Sequence, residues 1–438
     1  MVRYIISSLF FLSFAAQSYA NSPLKMAIVS KHDFIDSYIN NAIEEQYFPG
    51  AQLVIGTKDE IIYSKNYGYH DYSKAKEVET EDVYDVASCT KIMSTTLAIM
   101  KLIDDGKITL TTKIKDILRE YNQFGVGNVT VAELLKHTSG LLAAVPVVQA
   151  LVEPANDLPM YTSKPDAHHS FKIATRLYAN DELKYKEDYV STTPKDGYYK
   201  VHDNIFLADS FKVKIDSMVV NAFNAGRRGR YRYSDLNFYF LSKIIEKTSG
   251  KNLSEVSEEM YSDIGVLNIG FSPLSWKSKK RIVPTEYDYM FRRDTVRGYV
   301  HDEFAAALGG VNGNAGLFSN AESMAVICQL FLNKGTINEH TIIKPETVTK
   351  FTSNQVNNGV YRGYGFDKQG PTSKEYSRES YGHTGFTGTY FWVDPKKEVF
   401  VVFLTNRVNP SRLNTKLGKE YRSKLWETIT NYDLVSER

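Results

Sequence analysis

The sequence has few of the features that set specialised classes of protein apart. Only two of its 438 residues are cysteines, too few for a disulfide framework in a chain of this length. Its formal net charge is +2, and no run of Lys or Arg forms the basic stripe typical of nucleic-acid binding. We therefore expect no nucleic-acid partner. Cys89 and Cys328 both lie in apolar segments, so we expect them to be small buried residues.

Long apolar runs are also missing after the first 20 residues. Those residues combine Arg3, an apolar stretch and the small-residue end Ser18-Tyr19-Ala20, the pattern of a secretory signal peptide cut after Ala20. The alternative is an uncleaved membrane anchor, although the apolar stretch is short for a membrane span. The sequence thus predicts a periplasmic or secreted protein, with residues 21–438 forming one domain.

Segment 83–104 is the strongest candidate for the chemistry. Residues that suit a buried helical face recur every three or four positions, at Ile92, Thr96, Ile99 and Ile103. Ser88 would lie in the first turn of this helix, with Lys91 on the same face. A hydroxyl and an amine held together at a helix N-terminus can form a nucleophile and its base. The S-x-x-K pattern alone is weak, since SPLK at 22–25 matches it by chance.

The remaining pattern predicts an α+β fold. A helix over 34–43 precedes one β-hairpin (51–69), and a second hairpin (388–406) precedes a final helix. That final helix would present one face built from Leu413, Leu417, Tyr421 and Leu425. We expect both hairpins to share one antiparallel sheet with the terminal helices packed on it. Residues 141–200 lack a clear period, and we interpret them as an inserted helical lid region beside the site.

Three short motifs follow one another along the chain. They are Ser88-x-x-Lys91, Tyr233-Ser234-Asp235 and His383-Thr384-Gly385. Their order and spacing resemble the serine β-lactamase and penicillin-binding protein superfamily, nearest its class C-like branch. Segments such as LLKHTSGL and GHTGFTGTYFWVDP are similar to the family too, and the resemblance runs from about Ile35 to about Tyr432.

The resemblance implies the architecture of that superfamily. An antiparallel sheet, from about 30–85 and 335–435, would be flanked by the N- and C-terminal helices. A mostly helical part, including the lid, would span about 86–334. No metal or other cofactor is implied.

The resemblance also implies a role for each matching position. Ser88 would be the acylated nucleophile, Lys91 its base, and Tyr233 the group that passes the proton to the leaving group. The backbone N–H groups of Ser88 and Phe386 would form the oxyanion hole. A basic Lys91 needs a pKa well below about 10.4, which burial and a nearby positive or hydrogen-bonding group could supply. Whether Lys91 or Tyr233 is the working base stays open.

Two positions depart from the commonest family pattern. Asp235 stands where an asparagine is usual, and a carboxylate accepts hydrogen bonds but does not donate them. It would either point into the site, binding Lys91 and disfavouring anionic substrates, or cap the helix that follows. His383 replaces a lysine and is mostly neutral near pH 7, which weakens carboxylate binding. With Asp235 and His383, Thr384 and Gly385 would contact the substrate.

The other histidines admit modest interpretations. We interpret His137 in HTSG as a residue that fixes a loop. His301 and Asp302 are candidates to line the cleft. The His168-His169 pair has no further ligand at a spacing that suits zinc.

We therefore expect a secreted serine hydrolase that forms an acyl-enzyme with a small amide or ester substrate. By resemblance, the preferred substrates are peptidoglycan peptides ending in D-Ala-D-Ala. A carboxylesterase or a β-lactamase with the same site is the first alternative. A non-catalytic peptidoglycan-binding module is the second, although Ser88, Lys91 and Tyr233 are all present.

Overall fold

The computed structural model describes residues 23–355, 360–368 and 374–430, so the predicted signal peptide lies outside the described residues. Within these ranges the helices are α1 (Pro23–Glu44), α2 (Leu97–Asp104), α3 (Ile114–Ile117), α4 (Val131–Leu135), α5 (Val147–Leu151), α6 (Ser210–Asn221), α7 (Leu236–Ser249), α8 (Leu253–Ile264), α9 (Glu303–Ala307), α10 (Ala321–Leu332), α11 (Pro345–Thr352) and α12 (Lys419–Thr430).

The strands are short outside one sheet. They are β1 (Gly50–Gly56), β2 (Ile61–Gly68), β3 (Tyr84–Asp85), β4 (Val152–Pro154), β5 (Tyr161–Thr162), β6 (Phe171–Ala174), β7 (Leu177–Ala179), β8 (Leu183–Tyr185), β9 (Val190–Ser191), β10 (Tyr198–His202), β11 (Ile205–Ala208), β12 (Ile269–Phe271), β13 (Tyr287–Asp288), β14 (Asp294–Thr295), β15 (Leu317–Ser319), β16 (Thr336–Ile337), β17 (His340–Thr341), β18 (Asp367–Lys368), β19 (Tyr381–Thr384), β20 (Tyr390–Asp394) and β21 (Val399–Thr405).

The central sheet joins the two ends of the chain. Its order is β18-β19-β20-β21-β1-β2, and every neighbouring pair is antiparallel. The junction is β1 with β21, where Leu53 lies opposite Phe403. The prediction that the first and last hairpins share one antiparallel sheet is confirmed.

The two faces of this sheet support two layers of helix. Side chains alternate along a strand, so Leu53 and Ile55 of β1 face one side and Val54 faces the other. Leu53 and Ile55 pack with buried residues of α1 and α12, such as Ile39 and Leu425, as predicted for the terminal helices. Val54 packs in a separate, larger core that includes α2, α7 and α10. Each fully buried Leu or Ile contributes about 1.5–3 kcal/mol, so these two cores fix the position of the sheet.

The prediction of helices across 141–200 is wrong. After the single-turn α5, the chain forms the short strands β4 to β11, which pair as β4-β8, β5-β7-β6 and β10-β11-β9. Strands of two to five residues give no measurable period in a sequence, because neither face repeats often enough. We call residues 152–208 the β insert. It does lie beside the site, since Lys172 and Leu177 line a cavity described below.

The final helix begins later than predicted. α12 starts at Lys419, so Leu413 and Leu417 precede it, and Leu413 is 37% exposed. The Asn414 side chain donates to the carbonyls of Gln46 and Tyr47 at 3.1 and 3.0 Å, which holds this stretch as a loop against the end of α1. Tyr421 and Leu425 are buried as expected.

The two cysteines and the apolar character of the helices can also be compared with the sequence analysis. Cys89 and Cys328 are free and buried, as predicted. Among the described residues, no helix has both the length and the apolar character to cross a membrane.

Candidate active site

Ser88 lies in a short 3-10 turn, Ala87–Cys89, and not in the first turn of a continuous α-helix as predicted. A π-helical turn, Lys91–Thr96, follows and leads into α2. Ala87 has a φ of 47°, in the left-handed region that a residue with a side chain rarely adopts. Its amide donates to Asp85 Oδ1 at 2.8 Å, and this bond holds the strained turn. The turn places Ser88 on the wall of a cavity of about 510 Å³.

Lys91 is fully buried beneath Ser88. Its Nζ donates to Ser88 Oγ at 2.9 Å and to the Asn314 carbonyl at 3.0 Å. It forms an ion pair of 2.6 Å with Asp235 Oδ1, and it lies 5.1 Å from the centre of the Tyr233 ring. The three motif residues Ser88, Lys91 and Tyr233 are therefore brought together, as the sequence predicts.

The charge on Lys91 differs from the expectation. Burial disfavours the ammonium, but the carboxylate of Asp235 and the hydroxyl of Tyr233 favour it more strongly, so the pKa of Lys91 is raised above its usual value. The expectation of a Lys91 with a lowered pKa is wrong for this arrangement. The sequence argument required a positive or hydrogen-bonding neighbour, and the structure supplies a carboxylate instead.

Asp235 adopts the first of the two positions left open for it. Its side chain points into the site and pairs with Lys91, and it makes no capping hydrogen bond to α7. Its backbone is already helical, with φ of −66° and ψ of −28°, whereas a capping residue is normally extended. The interpretation of Asp235 as a helix cap is therefore wrong.

Tyr233 is held in place from behind by His137. The amide of Ser234 and the side-chain amide of Asn237 both donate to His137 Nδ1, at 3.1 and 3.0 Å. The His137 ring lies 4.6 Å from the Tyr233 ring, centre to centre. Ser139 Oγ donates to Asn237 Oδ1 at 2.5 Å, so the loop after α4 and the start of α7 are clamped together. The prediction that His137 fixes a loop is confirmed, and the loop it fixes carries Tyr233.

Burial shifts the pKa values of both His137 and Tyr233. Burial lowers the pKa of His137 well below its usual value, and the nearby charges of Arg362 and Lys91 lower it further. Burial raises the pKa of Tyr233; Lys91 opposes this shift and Asp235 adds to it. Tyr233 lies beside Lys91 and lines the same cavity as Ser88.

The third motif forms the opposite wall of the cavity. His383 and Thr384 end β19, and Gly385 and Phe386 follow in the turn to β20. A side chain at Gly385 would lie 2.0 Å from Thr389 Oγ1 and 2.5 Å from the Val86 carbonyl, so this close approach requires glycine.

Hydrogen bonds tie this wall to the turn that carries Ser88. Thr389 Oγ1 donates to the Val86 carbonyl at 2.9 Å, and Thr387 Oγ1 donates to the Asp85 carbonyl at 2.8 Å. Ser88 and Phe386, whose amides are the predicted oxyanion hole, therefore line one cavity. That role stays a prediction.

His383 is not a cation in this site. It is buried, and burial together with the charges of Arg362 and Lys91 lowers its pKa to about 4, although Asp367 opposes the shift. Its Nδ1 donates to the Thr384 carbonyl at 2.8 Å, because a carbonyl oxygen only accepts. His383 therefore presents an Nε2 that accepts hydrogen bonds and adds no positive charge.

Three arginines that the motifs do not identify supply the positive charge instead. Arg362, Arg407 and Arg422 all line the cavity with Ser88. Arg362 is buried, pairs with Asp367 and lies 5.6 Å from the centre of the Tyr233 ring.

Arg407 and Arg422 are different, because neither forms an ion pair in the part of the chain that the structure describes. Arg407 donates to the carbonyls of Phe386 and Asn414, at 2.6 and 2.5 Å, and Arg422 donates to that of Leu417 at 3.3 Å. Burial and the neighbouring charge of Arg422 lower the pKa of Arg407. The two guanidinium groups thus repel each other inside one cavity, and a bound anion would relieve that repulsion.

A second cavity, of about 380 Å³, lies on the far side of Asp235. Apolar and aromatic side chains line it from α5, the β insert and the loop around Tyr289, together with carboxylates that include Asp235, Asp302 and Glu303. Tyr289 is 49% exposed and stacks on Phe171, with ring centres 4.7 Å apart. Because Asp235 contacts Lys91 and Lys91 contacts Ser88, this cavity opens close to the nucleophile.

The remaining predicted residues have other positions. Asp302 lines the second cavity, beside Asp235, and not the cavity of Ser88, and it caps α9 by accepting from the Ala305 amide at 2.8 Å. His301 lies behind it, with Nε2 3.3 Å from Glu286, outside the cavity lining. His169 is buried within the β insert, where it contacts Asp166. Among the described residues, no three His, Cys, Asp or Glu side chains converge as metal ligands.

The fold and the site together define a serine hydrolase. The chain belongs to the beta-lactamase family, whose model matches residues 35–186 and 197–423. A curated relative from Escherichia coli K12, named "Putative D-alanyl-D-alanine carboxypeptidase", is 28% identical over 420 residues, which cover 88% of this chain and 85% of the relative.

Two further matches agree with this placement. An N-acetylmuramyl-L-alanine amidase of Bacillus subtilis is 27% identical over 392 residues, covering 82% of this chain and 77% of the relative. The octameric penicillin-binding protein homologue from Pyrococcus abyssi superposes with a TM-score of 0.60 at 20% identity, covering 85% of this chain and 73% of that one. The predicted superfamily, the α+β fold and the class of enzyme are therefore confirmed.

Proposed function

We propose that this serine hydrolase removes the terminal residue from short peptides that end in a free carboxylate, with peptidoglycan peptides ending in D-Ala-D-Ala as the preferred substrates. The observation that carries the proposal is the pair Arg407 and Arg422, which lack carboxylate partners in the described structure and line the cavity of Ser88. A substrate carboxylate in that cavity would place the last peptide bond next to the nucleophile.

The reaction would proceed through an acyl-enzyme. Ser88 Oγ attacks the carbonyl carbon of the last peptide bond while its proton passes to Lys91 or Tyr233. The amides of Ser88 and Phe386 would bind the negative oxygen that develops, and such donors contribute about 2.7–4 kcal/mol each. Tyr233 returns the proton to the departing amine. Water then hydrolyses the ester on Ser88 and releases the shortened peptide.

The charges of the site support a peptide with a free carboxylate over an uncharged ester. Asp235 was expected to repel anionic substrates, but its charge is compensated by the ion pair with Lys91. Arg407 and Arg422 line the cavity of Ser88, which Asp235 does not line, and Arg422 belongs to α12. The second cavity, beside Asp235, offers room for the acyl part of the substrate. The names of the Escherichia coli and Bacillus subtilis relatives, a carboxypeptidase and an amidase, point to the same class of bond.

Release of D-alanine from a model pentapeptide tests this proposal. We expect the wild-type protein to hydrolyse the peptide with a free C-terminus and to leave its C-terminal amide uncleaved. Arg422→Gln should raise KM for the free acid about 10-fold or more, because a charge-assisted hydrogen bond contributes about 1.5–3 kcal/mol. Arg228→Gln is the matched control, since Arg228 pairs with Glu133 outside the cavity and should leave KM unchanged.

Each alternative predicts a different result. Turnover of a p-nitrophenyl ester without peptide release or penicillin labelling would identify an esterase. Hydrolysis of a β-lactam faster than of the peptide would identify a β-lactamase. If neither the wild type nor Ser88→Ala turned over any of these substrates or was labelled by penicillin, catalysis at Ser88 would be disproved, and a peptidoglycan-binding module would be the better description.

We also propose that the protein is exported and cut after Ala20. Support comes from the sequence pattern of the first 20 residues. Mass spectrometry of the protein purified from a secreting bacterial host should give an N-terminus at Asn21 and recovery from the periplasm or medium. An intact N-terminus in the membrane fraction would favour the uncleaved anchor.

A further inference from the structure

We propose that Asp235 is a positioning residue that keeps Lys91 charged in the resting enzyme and thereby makes acylation of Ser88 depend on alkaline pH. The proposal rests on the serine-hydrolase chemistry described above, and it concerns the pH at which that chemistry begins. It follows from the three acceptors around one buried nitrogen.

The hydrogen-bond geometry around Lys91 distinguishes its two states. The Asn314 carbonyl accepts a hydrogen bond from Lys91, and the Asp235 carboxylate forms an ion pair with it at 2.6 Å. A neutral amine has two N–H groups and one lone pair, so it can turn its lone pair toward Ser88 Oγ, 2.9 Å away, while it still donates to Asn314. The charged amine has a third N–H, which donates to Ser88 Oγ instead. Only the neutral form can therefore accept the proton of Ser88.

Asp235 strongly favours the charged form. Its Oδ1 lies 2.6 Å from Nζ, and the Lys91 side chain is fully buried, where water screens the attraction little. An asparagine at position 235 would bind Nζ through its amide oxygen without a negative charge. The aspartate thus supplies an attraction that the usual residue lacks.

Among the other described groups that face Lys91, Tyr233 also favours its charge, but Asp235 contributes more. From α7 comes the ring of Phe238, 5.5 Å away, and from the segment before it comes Tyr233. His137 and His383 are neutral, with pKa values that burial and the charges of Arg362 and Lys91 lower, so neither attracts the ammonium. Two further carboxylates lie nearby: Asp367 interacts with Lys91 but pairs with Arg362, and Asp302 interacts with Asp235, which together with burial raises the pKa of Asp302 to about 6.

The charge of Asp235 raises the pH needed for acylation whether Lys91 or Tyr233 is the base. If Lys91 is the base, its ammonium first releases one proton to solvent; the Ser88 O–H bond then breaks as the bond to the carbonyl carbon forms, and the proton moves to Nζ. If Tyr233 is the base, its phenol must first ionise, and the charge of Asp235 opposes that as well. Removing the charge at position 235 therefore brings acylation to lower pH in both cases.

The rate of acylation by p-nitrophenyl acetate between pH 6 and 10 tests this inference, with Ser88→Ala as the blank. We expect the wild-type rate to rise through the whole range without a plateau. Asp235→Asn should move the rising limb down by about one to three pH units, the shift that one adjacent opposite charge produces. An ester is used so that failure on peptides leaves this measurement intact.

Two further variants separate the charge from other effects. Asp235→Glu keeps the charge and should keep the rising limb near the wild-type position. Asp105→Asn is the matched control: it removes a carboxylate that pairs with Lys101 and lines neither cavity, so its profile should match the wild type. An Asp235→Asn protein that folds but follows the wild-type profile, or is inactive at every pH, would overturn the inference. Absence of Ser88-dependent acylation in the wild type would disprove both proposals.

Discussion

Tyr233 has its position because of a histidine that touches no substrate. His137 has a φ of 57° and directs its Nδ1 at two donors, the amide of Ser234 and the side chain of Asn237. Both bonds are buried, so losing the acceptor leaves two donors unpaired, at about 1–3 kcal/mol for each. The Tyr233 ring lies against the same imidazole. His137 is therefore a positioning residue for the proposed proton transfer.

Substitution of His137 should lower kcat more than it changes KM. We expect His137→Phe to reduce kcat on p-nitrophenyl acetate about 10- to 100-fold, because it keeps the ring but removes the acceptor and lets Tyr233 shift. KM should stay within about twofold. His137→Asn provides an oxygen acceptor and tolerates a positive φ, so it should recover part of the loss. Steady-state kinetics on folded variants provides the measurement, and an unchanged kcat in His137→Phe would contradict this role.

Single residues were predictable where chemistry follows a local pattern. Ser88, Lys91 and Tyr233 were identified from motif order, and they meet in the structure. The orientation of Asp235 was not predictable, since a carboxylate before a helix fits a cap equally well. Arg407 and Arg422 carry no motif either. Only the return of β21 beside β1, with α12 packed on the sheet, brings them to the cavity of Ser88.

At the scale of elements, prediction worked where the apolar period was long. β1, β20 and β21 have five to seven consecutive buried residues, and α7 runs for 14 residues to a left-handed Gly250. The period of Ile92 and Ile99 correctly indicated a buried face, but it could not distinguish the π-turn from an α-helix. A π-turn closes its hydrogen bond over one residue more than an α-helical turn, and six residues are too few for that difference to alter the apolar pattern.

The β insert shows the opposite case. Its strands have two to five residues, and most of their side chains are only partly buried. Pairing between distant short segments stabilises it, and nothing in a local window records such pairing. Yet this insert contributes Lys172 and Leu177 to the second cavity. The part of the chain that shapes the acyl side of the site was therefore the least predictable element.

At the scale of the whole molecule, burial of ionisable groups links the site to stability. Among the described histidines, His137, His202 and His383 have lowered pKa values because burial disfavours their charged form. Glu286 is stabilised in its charged form. Burial opposes that charge, but His301 and Arg412 outweigh burial and lower the pKa of Glu286. Asp302 has the opposite effect on stability in acid: its pKa is raised to about 6, so the folded protein binds this proton more readily than the unfolded chain does. The balance predicts that acid destabilises the protein before ordinary carboxylates titrate.

The sign follows from which state binds more protons. An unfolded histidine titrates near its usual pKa of about 6.5, whereas His383 in the folded protein titrates at about 4. Between those values the unfolded chain binds more protons, so the stabilisation present above about pH 6.5 is lost as the pH falls toward 4. One such group contributes at most about 1.4 kcal/mol per pH unit.

Urea unfolding at pH 7.5, 6.0, 5.0 and 4.5 measures this loss directly. We expect the wild-type free energy of unfolding to fall across the series, and His383→Gln to fall less steeply by up to about 1.4 kcal/mol per pH unit, because glutamine does not titrate. His168→Gln is the control, since the His168 side chain is 55% exposed, and its line should run parallel to the wild type. Parallel lines for His383→Gln as well would show that the buried imidazole does not govern acid stability. A shallower line for His383→Gln would show that protonation of His383, the neutral histidine of the Ser88 cavity, contributes to the loss of stability in acid.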